Sequence, residues 1–138
     1  MGSFMKNDVI LNKISVIERC ISRVKDVYDN KQENLQDYTK QDSIILNIQR
    51  ACEASIDLAM HIVAEKRLGL PQTSRDAFDL LFTDGIIDDS TNRNLKAMVG
   101  FRNIVHDYQT INVDILKSIL DEHLSDFTDY TKQILKSS

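Results

Sequence analysis

Apolar residues recur at steps of three and four along most of the chain, and this period predicts amphipathic helices. The first predicted helix covers residues 8–28. The second, which we expect to be the central and most buried one, covers residues 43–68. Gly69 followed by Pro71 predicts where the second helix ends. The polar segment 29–41 predicts a connection or a short helical spacer between the two helices.

Three more helices follow in the second half of the chain. A short helix begins at Ser74, is capped by Thr73 or by Ser74 itself, and ends at Gly85. A fourth helix covers residues 90–105, and a last one covers residues 113–134. The predicted fold class is therefore all-α: an antiparallel bundle of four main helices with one short extra helix.

The composition agrees with that fold and indicates one domain. The 138 residues include one Pro and four Gly, too few for the frequent turns of a β-sandwich or barrel. A chain of this length that is 42% hydrophobic can bury a core of its own, so we assign a single helical domain to residues 5–138. Residues 1–4 are typical of an expression scar ahead of a native start.

The charge balance limits how the chain can bind nucleic acid. Seventeen Lys and Arg against 21 Asp and Glu give a formal net charge of −4, so no overall positive field attracts RNA or an anionic membrane. An RNA-binding role therefore has to depend on local cations, such as Arg102, Arg50, Lys66 and Arg67, and RNA binding should weaken with salt.

The predicted compartment is the cytoplasm. No apolar run approaches the roughly 20 residues that cross a bilayer, and no basic-then-apolar leader is present, so we expect no membrane association. Cys20 and Cys52 lie on apolar stretches without a Cys-x-x-Cys spacing. This pattern predicts buried free thiols in a reducing compartment.

Chemically versatile side chains are concentrated in residues 102–108. If the fourth helix continues through this segment, Arg102 and His106 lie four residues apart on one face, about 6 Å between their Cβ atoms, with Asn103 beside them. An imidazole can deprotonate the 2′-hydroxyl of RNA or protonate the leaving oxygen, while a guanidinium holds the phosphate. That chemistry needs no metal ion and no cofactor. Alternatively, Arg102 and His106 stabilise the negative end of the helix dipole, and Tyr108 is an ordinary half-buried loop tyrosine.

The runs Gly100-Phe101-Arg102-Asn103 and Val105-His106-Asp107-Tyr108 end a helix in a small, acidic, all-helical chain. This arrangement resembles the signature of the HEPN superfamily, and within it the HepT-like toxins of HepT–MntA toxin–antitoxin pairs. In length and helix order the resemblance covers the chain from Met5 onward. It implies a helical-bundle homodimer that acts as a metal-independent endoribonuclease, with the Arg and His of both subunits meeting in one composite cleft.

The resemblance also implies a partner. That partner is a cognate MntA-like minimal nucleotidyltransferase, an antitoxin that transfers AMP from ATP to the motif tyrosine. Carried over to this chain, Arg102 and His106 are the catalytic pair, Asn103 supports the site, and Tyr108 accepts AMP. Added AMP would bring negative charge and bulk to the place where an RNA phosphate must bind.

The spacing between Arg102 and His106 departs from the family's pattern. That pattern has at least four residues between its Arg and His, whereas this chain has only Asn103, Ile104 and Val105. Removing one helical residue turns the rest of the helix by about 100° and withdraws it by about 1.5 Å. We therefore hypothesise a natural or engineered deletion that weakens or abolishes cleavage and leaves the fold intact. The alternative function is a non-catalytic helical module of the same fold that binds a partner or a nucleotide.

The remaining candidates have simpler interpretations. His61 lies four residues after Asp57 and is predicted to pair with it, while His123 is predicted to be a packed, hydrogen-bonded histidine of the last helix. The histidines and cysteines show no ligand spacing, so we expect no metal, and no Gly-rich phosphate loop is present. Gly100, inside a helix, predicts either a close approach by another backbone, such as that of a second subunit, or a helix kink.

Overall fold

The computed structural model describes residues 2–107 and 113–137, with side chains described for residues 8–102 and 113–137. The described part contains six α-helices, one short 3-10 helix and no strand, so the predicted all-α class is confirmed. The elements in chain order are α1 (Gly2–Tyr28), the 3-10 helix (Gln32–Gln36), α2 (Tyr38–Lys66), α3 (Ser74–Thr83), α4 (Asp89–Asp107), α5 (Val113–Glu122) and α6 (Leu124–Ser137).

A short, tightly bonded connection joins α1 to α2. Asn34 of the 3-10 helix is buried, and its Nδ2 donates to the carbonyls of Val27 at 3.2 Å and Tyr28 at 2.8 Å. Its Oδ1 accepts from Nζ of Lys40 at 2.9 Å, so one amide closes the end of α1 against the start of α2. The prediction of a short helical spacer in this segment is confirmed.

The predicted start of α2 at residue 43 is wrong. The helix begins at Tyr38, after Asp37, whose carboxylate accepts a hydrogen bond from the Lys40 N–H at 3.2 Å. This is an N-cap, in which a side-chain oxygen satisfies an amide that the helix leaves without a partner. The first turn was missed because its residues are exposed and show no apolar period.

The predicted stop at Gly69 is also wrong in its detail. Arg67 takes the left-handed conformation (φ 55°) that ends α2, and its N–H donates to the Ala64 carbonyl at 3.3 Å. The N–H of Leu68 donates to the Val63 carbonyl at 3.0 Å, which completes a Schellman motif. Glycine adopts this conformation with less strain than other residues, so the sequence pattern assigns the end of the helix to Gly69. The left-handed residue is in fact Arg67, two residues earlier.

Helices α3 and α4 agree closely with their predictions. Thr73 caps α3, since its Oγ1 accepts from the Asp76 N–H at 3.2 Å. Gly85 follows the end of α3 with φ 79°. Helix α4 extends to Asp107, two residues beyond its predicted end, and therefore runs through both Arg102 and His106.

The predicted single last helix is broken in two at His123. The His123 carbonyl accepts from the Asp126 N–H at 3.1 Å, and the Asp126 carboxylate lies 2.9 Å from the His123 ring Nδ1. Local bonding of this kind by a short acidic side chain competes with the regular helical ladder. Neither Gly nor Pro marks the break, so the apolar period continues across it.

The helices pack as an antiparallel bundle with α2 at its centre. Helix α2 contacts α1 on one side and α3 and α4 on the other, and α6 closes the bundle against α1 and α4. Cross-helix hydrogen bonds join Asn94 to Asp126 and Thr91 to Gln133, which shows that α4 and α6 run in opposite directions. The largest fully buried side chains are those of Tyr130, Phe78, Phe127, Ile17, Leu35, Ile44, Ile48, Leu58, Leu81, Leu95, Leu116 and Ile134. Across the described residues, no helix has the length and apolarity that a membrane span requires.

Candidate functional site

Helix α4 carries the motif, and its first half is fixed by two neighbouring helices. Oδ1 of Asp79 on α3 accepts hydrogen bonds from Asn92 at 3.0 Å and from Lys96 at 2.8 Å. On the opposite side, Asn94 donates to Asp126 of α6 at 3.1 Å. These bonds set the position and direction of the helix before the chain reaches the motif.

The middle of α4 packs against α2, where Cys52 meets the helix. The Cys52 thiol donates to the Met98 carbonyl at 3.6 Å, one turn before Arg102. Burial raises the pKa of the Cys52 thiol to about 12, and the positive charge of the half-buried Arg102 opposes that shift. Arg102 therefore lies at the α2–α4 seam, within electrostatic reach of Cys52.

The continuous helix satisfies the condition under which Arg102 and His106 share a face. Four helical residues advance about 6 Å along the axis and rotate about 40° beyond one full turn. The backbone of α4 includes Asn103 and His106. The side chains of these two residues, and Tyr108 altogether, lie outside the part of the chain that is described, so their predicted roles stay predictions.

Gly100 makes room for a cation from α3. A Cβ at this position would lie 3.4 Å from Nη2 of Arg75, and no other described atom of a neighbouring helix would lie within 4 Å of it. Among the described residues no second backbone approaches Gly100, and α4 continues unbroken through it. Sequence reasoning did not identify Arg75, because Arg75 is separated from the motif by more than twenty residues.

The other predicted cations are distributed over two distant regions. Lys66 and Arg67 lie at the end of α2, about 22 Å along the helix from Cys52, so one subunit does not bring them to the motif. Arg50 lies instead at the α1–α2 seam, over Cys20. Burial raises the pKa of the Cys20 thiol, and the nearby positive charge of Arg50 lowers it.

The predicted Asp57–His61 pair is wrong. Nζ of Lys13 on α1 lies 3.3 Å from Oδ2 of Asp57, while Nε2 of His61 lies 2.9 Å from Oε2 of Glu65, one turn further along α2. The packing of α1 against α2 decides this choice, and a single-helix spacing rule cannot include it.

His123 is hydrogen-bonded, as predicted, but it lies at the break between α5 and α6, 2.9 Å from Asp126. Both cysteines are buried and free. Among the side chains of residues 8–102 and 113–137, no three His, Cys, Asp or Glu come close enough together to hold a metal ion.

Comparison with known proteins gives concordant matches. The family model described as Ribonuclease HepT-like matches residues 17–134. The chain is 51% identical over 125 residues to the mRNA nuclease HepT of Shewanella oneidensis, covering 90% of this chain and 94% of that protein.

Solved structures agree with these sequence matches. The tri-AMPylated Shewanella oneidensis HEPN toxin in complex with MNT antitoxin superposes with a TM-score of 0.88 at 48% identity, over 95% of this chain and 98% of that one. A toxin–antitoxin structure with AMP-PNP gives a TM-score of 0.85 at 49% identity, over 92% of this chain and 98% of that one.

Proposed function

Because this chain belongs to the Ribonuclease HepT-like family, we propose that it is the toxin of a toxin–antitoxin pair and that it acts as an endoribonuclease. The observation that carries the proposal is the 51% identity, over 90% of the chain, to a protein named as an mRNA nuclease. The continuous helix through Arg102 and His106 supports it, because this helix gives the motif residues one rigid frame.

We assign RNA cleavage to Arg102 and His106. The guanidinium of Arg102 holds the scissile phosphate through parallel hydrogen bonds, and the His106 imidazole moves the proton. Asn103, next to Arg102 on the same helix, supports the bound phosphate. The 2′-hydroxyl attacks the adjacent phosphate as its proton leaves, and the departing 5′-oxygen takes a proton. This route uses neither a metal ion nor a cofactor.

Such a reaction requires both a general base and a general acid. One subunit offers a single motif histidine, His106. A homodimer in which two motifs face one cleft supplies both groups, and for this reason we propose a composite cleft between two copies of the chain.

We propose a minimal nucleotidyltransferase of the MntA type as the antitoxin, with Tyr108 as the residue to which it transfers AMP. The structural relative in complex with MNT antitoxin is tri-AMPylated, which supports this regulation. Each AMP unit adds a phosphodiester anion beside Arg102 and occupies space that an RNA phosphate needs. AMPylation would therefore switch off RNA binding and cleavage together.

A cleavage assay tests the nuclease assignment directly. Purified protein is incubated with single-stranded RNA in EDTA, beside the variants Arg102→Ala and His106→Ala. Each variant should lose about 10²–10⁴-fold in rate, the range expected for removal of an acid–base or charge-stabilising group. Arg93→Ala is the matched control, because Arg93 pairs with Asp89 at the other end of the same helix. Unchanged cleavage in His106→Ala would contradict the assignment.

Intact mass tests the partner and the modified residue independently of cleavage. The chain is incubated with its neighbouring nucleotidyltransferase, ATP and Mg²⁺, alongside a Tyr108→Phe variant. A gain of whole AMP units in the wild type, absent from the variant, is the expected result. A gain that persists in Tyr108→Phe would assign the modification to another residue.

The second candidate function is a non-catalytic module that binds a partner or nucleotide through the same motif. The short Arg102-to-His106 spacing favours it. AMPylation of Tyr108 without any metal-free RNA cleavage, by this chain or by a chain with one residue restored, would support it.

We propose the cytoplasm as the compartment. Cys20 and Cys52 are both buried as free thiols, and reduced cysteines are typical of proteins kept in a reducing compartment. Detection of the toxin in the soluble fraction of cells after lysis, with its thiols reduced, is the corresponding measurement.

A further inference from the structure

Three arginines meet at the α1–α2 seam. Arg19 and Arg23 are four residues apart on α1, so they lie on one face with their Cβ atoms about 6 Å apart. The Lys13–Asp57 pair shows which residues of the antiparallel α1 and α2 lie side by side. Cys20 is seven residues after Lys13 on α1, and Arg50 is seven residues before Asp57 on α2. Cys20 and Arg50 are therefore neighbours across the two helices. Arg50 therefore lies beside Arg19 and Arg23. We call these three residues the arginine patch.

The arginine patch is exposed, and no described carboxylate forms an ion pair with it. All three side chains are exposed, and within the described ranges none forms an ion pair. Asp26 follows Arg23 by three residues and Glu53 follows Arg50 by three, a spacing at which helical ion pairs commonly form, yet neither pair forms here. In a chain with a net charge of −4, the three guanidinium groups form a local cluster of positive charge around Cys20.

The arginine patch and Arg102, the motif residue whose side chain is described, lie on opposite sides of α2 and at a similar height in the bundle. Arg50 is two residues from Cys52, the residue that faces α4 next to Arg102. Helix α2 packs between α1 and α4. Because neighbouring helix axes are about 8–10 Å apart, the two regions are separated by roughly 15–20 Å across the surface of α2.

We propose that the arginine patch of Arg19, Arg23 and Arg50 binds backbone phosphates of the RNA strand that flanks the bond cut at the motif. This inference rests on the proposed ribonuclease function and deepens it. A row of guanidinium groups at a fixed spacing suits a polyanionic strand, because phosphates repeat along it whatever the base sequence. The arginine patch thus supplies sequence-independent affinity, and the motif performs the cleavage.

Salt dependence of binding distinguishes a phosphate contact from other roles. The probe is a 2′-O-methyl single-stranded RNA of about 20 nucleotides, which binds but cannot be cut at its 2′ positions, and binding is followed by fluorescence anisotropy. The variant is Arg19→Gln/Arg23→Gln/Arg50→Gln. Its matched control is Arg93→Gln/Lys132→Gln/Lys136→Gln. Each set removes three positive charges, so both take the net charge from −4 to −7.

The arginine-patch variant should lose about 2 units of the slope of log affinity against log salt, since each single-strand phosphate contact contributes about 0.7. When salt rises from 50 to 200 mM, the fold-decrease in the affinity of the variant should then be about 16 times smaller than the fold-decrease in the affinity of the wild type. The control should keep the wild-type slope. A dinucleotide, too short to reach from the motif across α2, should bind all three proteins alike. Circular dichroism and the thermal midpoint check that the variants are folded.

Equal slopes of log affinity against log salt for the arginine-patch variant and the control would overturn the proposal. A variant that binds RNA normally but no longer binds the antitoxin would also overturn it, because the surface would then bind a protein partner. Failure of the nuclease assignment gives a different pattern: no cleavage of unmodified RNA, with salt-dependent binding that still requires the three arginines. Absence of any RNA binding by the wild-type protein would contradict both.

Discussion

The hydroxyl of Tyr130 on α6 donates a hydrogen bond to the Ser55 carbonyl of α2 across 2.9 Å of the bundle interior. Tyr130 is fully buried, which raises the pKa of its phenol above the usual range and keeps the group neutral. The ring also meets Phe78 of α3 edge to face, with centroids 5.8 Å apart. One side chain thus joins three helices by both packing and a polar contact.

Tyr130→Phe should lower the free energy of unfolding by about 1 kcal/mol. The ring still fills its space, so the cost is that of one buried hydrogen bond to a carbonyl. Urea unfolding followed by circular dichroism measures it, and the slope with urea should not change. Tyr38→Phe is the control, because Tyr38 is 80% exposed and its variant should match the wild type. Equal stability of the two variants would contradict this account.

Arg67→Gly should raise the free energy of unfolding by up to about 1 kcal/mol. Arg67 holds the left-handed conformation at φ 55°, which strains any residue that carries a Cβ. Thermal unfolding is the measurement. Lys66→Gly provides the comparison, because Lys66 is the last helical residue and a glycine there should destabilise α2. If both glycines destabilise equally, the Arg67 conformation is not strained.

Gly100→Ala should stabilise the protein by roughly 0.5–1 kcal/mol. Alanine is favoured over glycine inside a helix, and the new Cβ would meet Nη2 of Arg75 at 3.4 Å, an ordinary contact. Thermal midpoints of the wild type and variant decide the sign. A Gly100→Ala variant that is less stable than the wild type at high concentration, with a difference that disappears when both are diluted to monomer, would indicate that another chain approaches α4 at this point.

The Asp79 contacts should make stability depend on acid pH. Hydrogen bonds from Lys96 and Asn92 lower the pKa of Asp79 below its usual value near 3.9. A carboxyl whose pKa is lower in the folded state stabilises the protein above about pH 4, and this stabilisation is lost as the pH falls through the folded-state pKa. The Asp79→Asn variant should therefore be less stable than the wild type at pH 7, and the difference should shrink near pH 3.

Thermal midpoints at the two pH values measure that difference. Asp129→Asn is the control, because Asp129 is exposed on α6 and makes no hydrogen bond or ion pair within the described residues. A gap for Asp79→Asn that stays constant between pH 7 and pH 3 would contradict the charge-based account.

Insertion of Ala after Ile104 should increase RNA cleavage. In the continuous α4 an extra residue rotates His106 by about 100° and moves it by about 1.5 Å relative to Arg102, which restores the longer family spacing. Displacements of that size can change rates by about 100-fold. Initial rates on one RNA in EDTA are compared for both chains, with Ala inserted after Asp84, in an exposed turn, as the control. Equal or lower activity of the Ile104 insertion would overturn the hypothesis of an impaired spacing.

The sequence predicts the helices well where an apolar period is paired with a local stop or cap. Thr73 caps α3 as expected, and α4 reaches the motif. The errors share one physical origin. The exposed first turn of α2, the left-handed Arg67 and the break at His123 all depend on hydrogen bonds of individual polar groups, which leave no trace in an apolar period.

Only part of the candidate site can be predicted from the sequence. The density of functional groups in residues 102–108 identifies the motif, because its members are neighbours along the chain. Arg75 beside Gly100 and the arginine patch beside Cys20 bring together residues from different helices. Such neighbours depend on the register of packed helices, which a single sequence does not specify.

The hydrogen bonds of the Asn34 side chain predict that α1 and α2 pair early in folding. Its bonds to Val27, Tyr28 and Lys40 link residues close in sequence, and contacts of this kind cost little chain entropy to form. During synthesis the α1–α2 hairpin can assemble as soon as both helices have left the ribosome. The apolar inner face of this hairpin is covered only when α6, the last helix to be synthesised, packs against it. We therefore expect Tyr130 to reach its buried position only after translation is nearly complete.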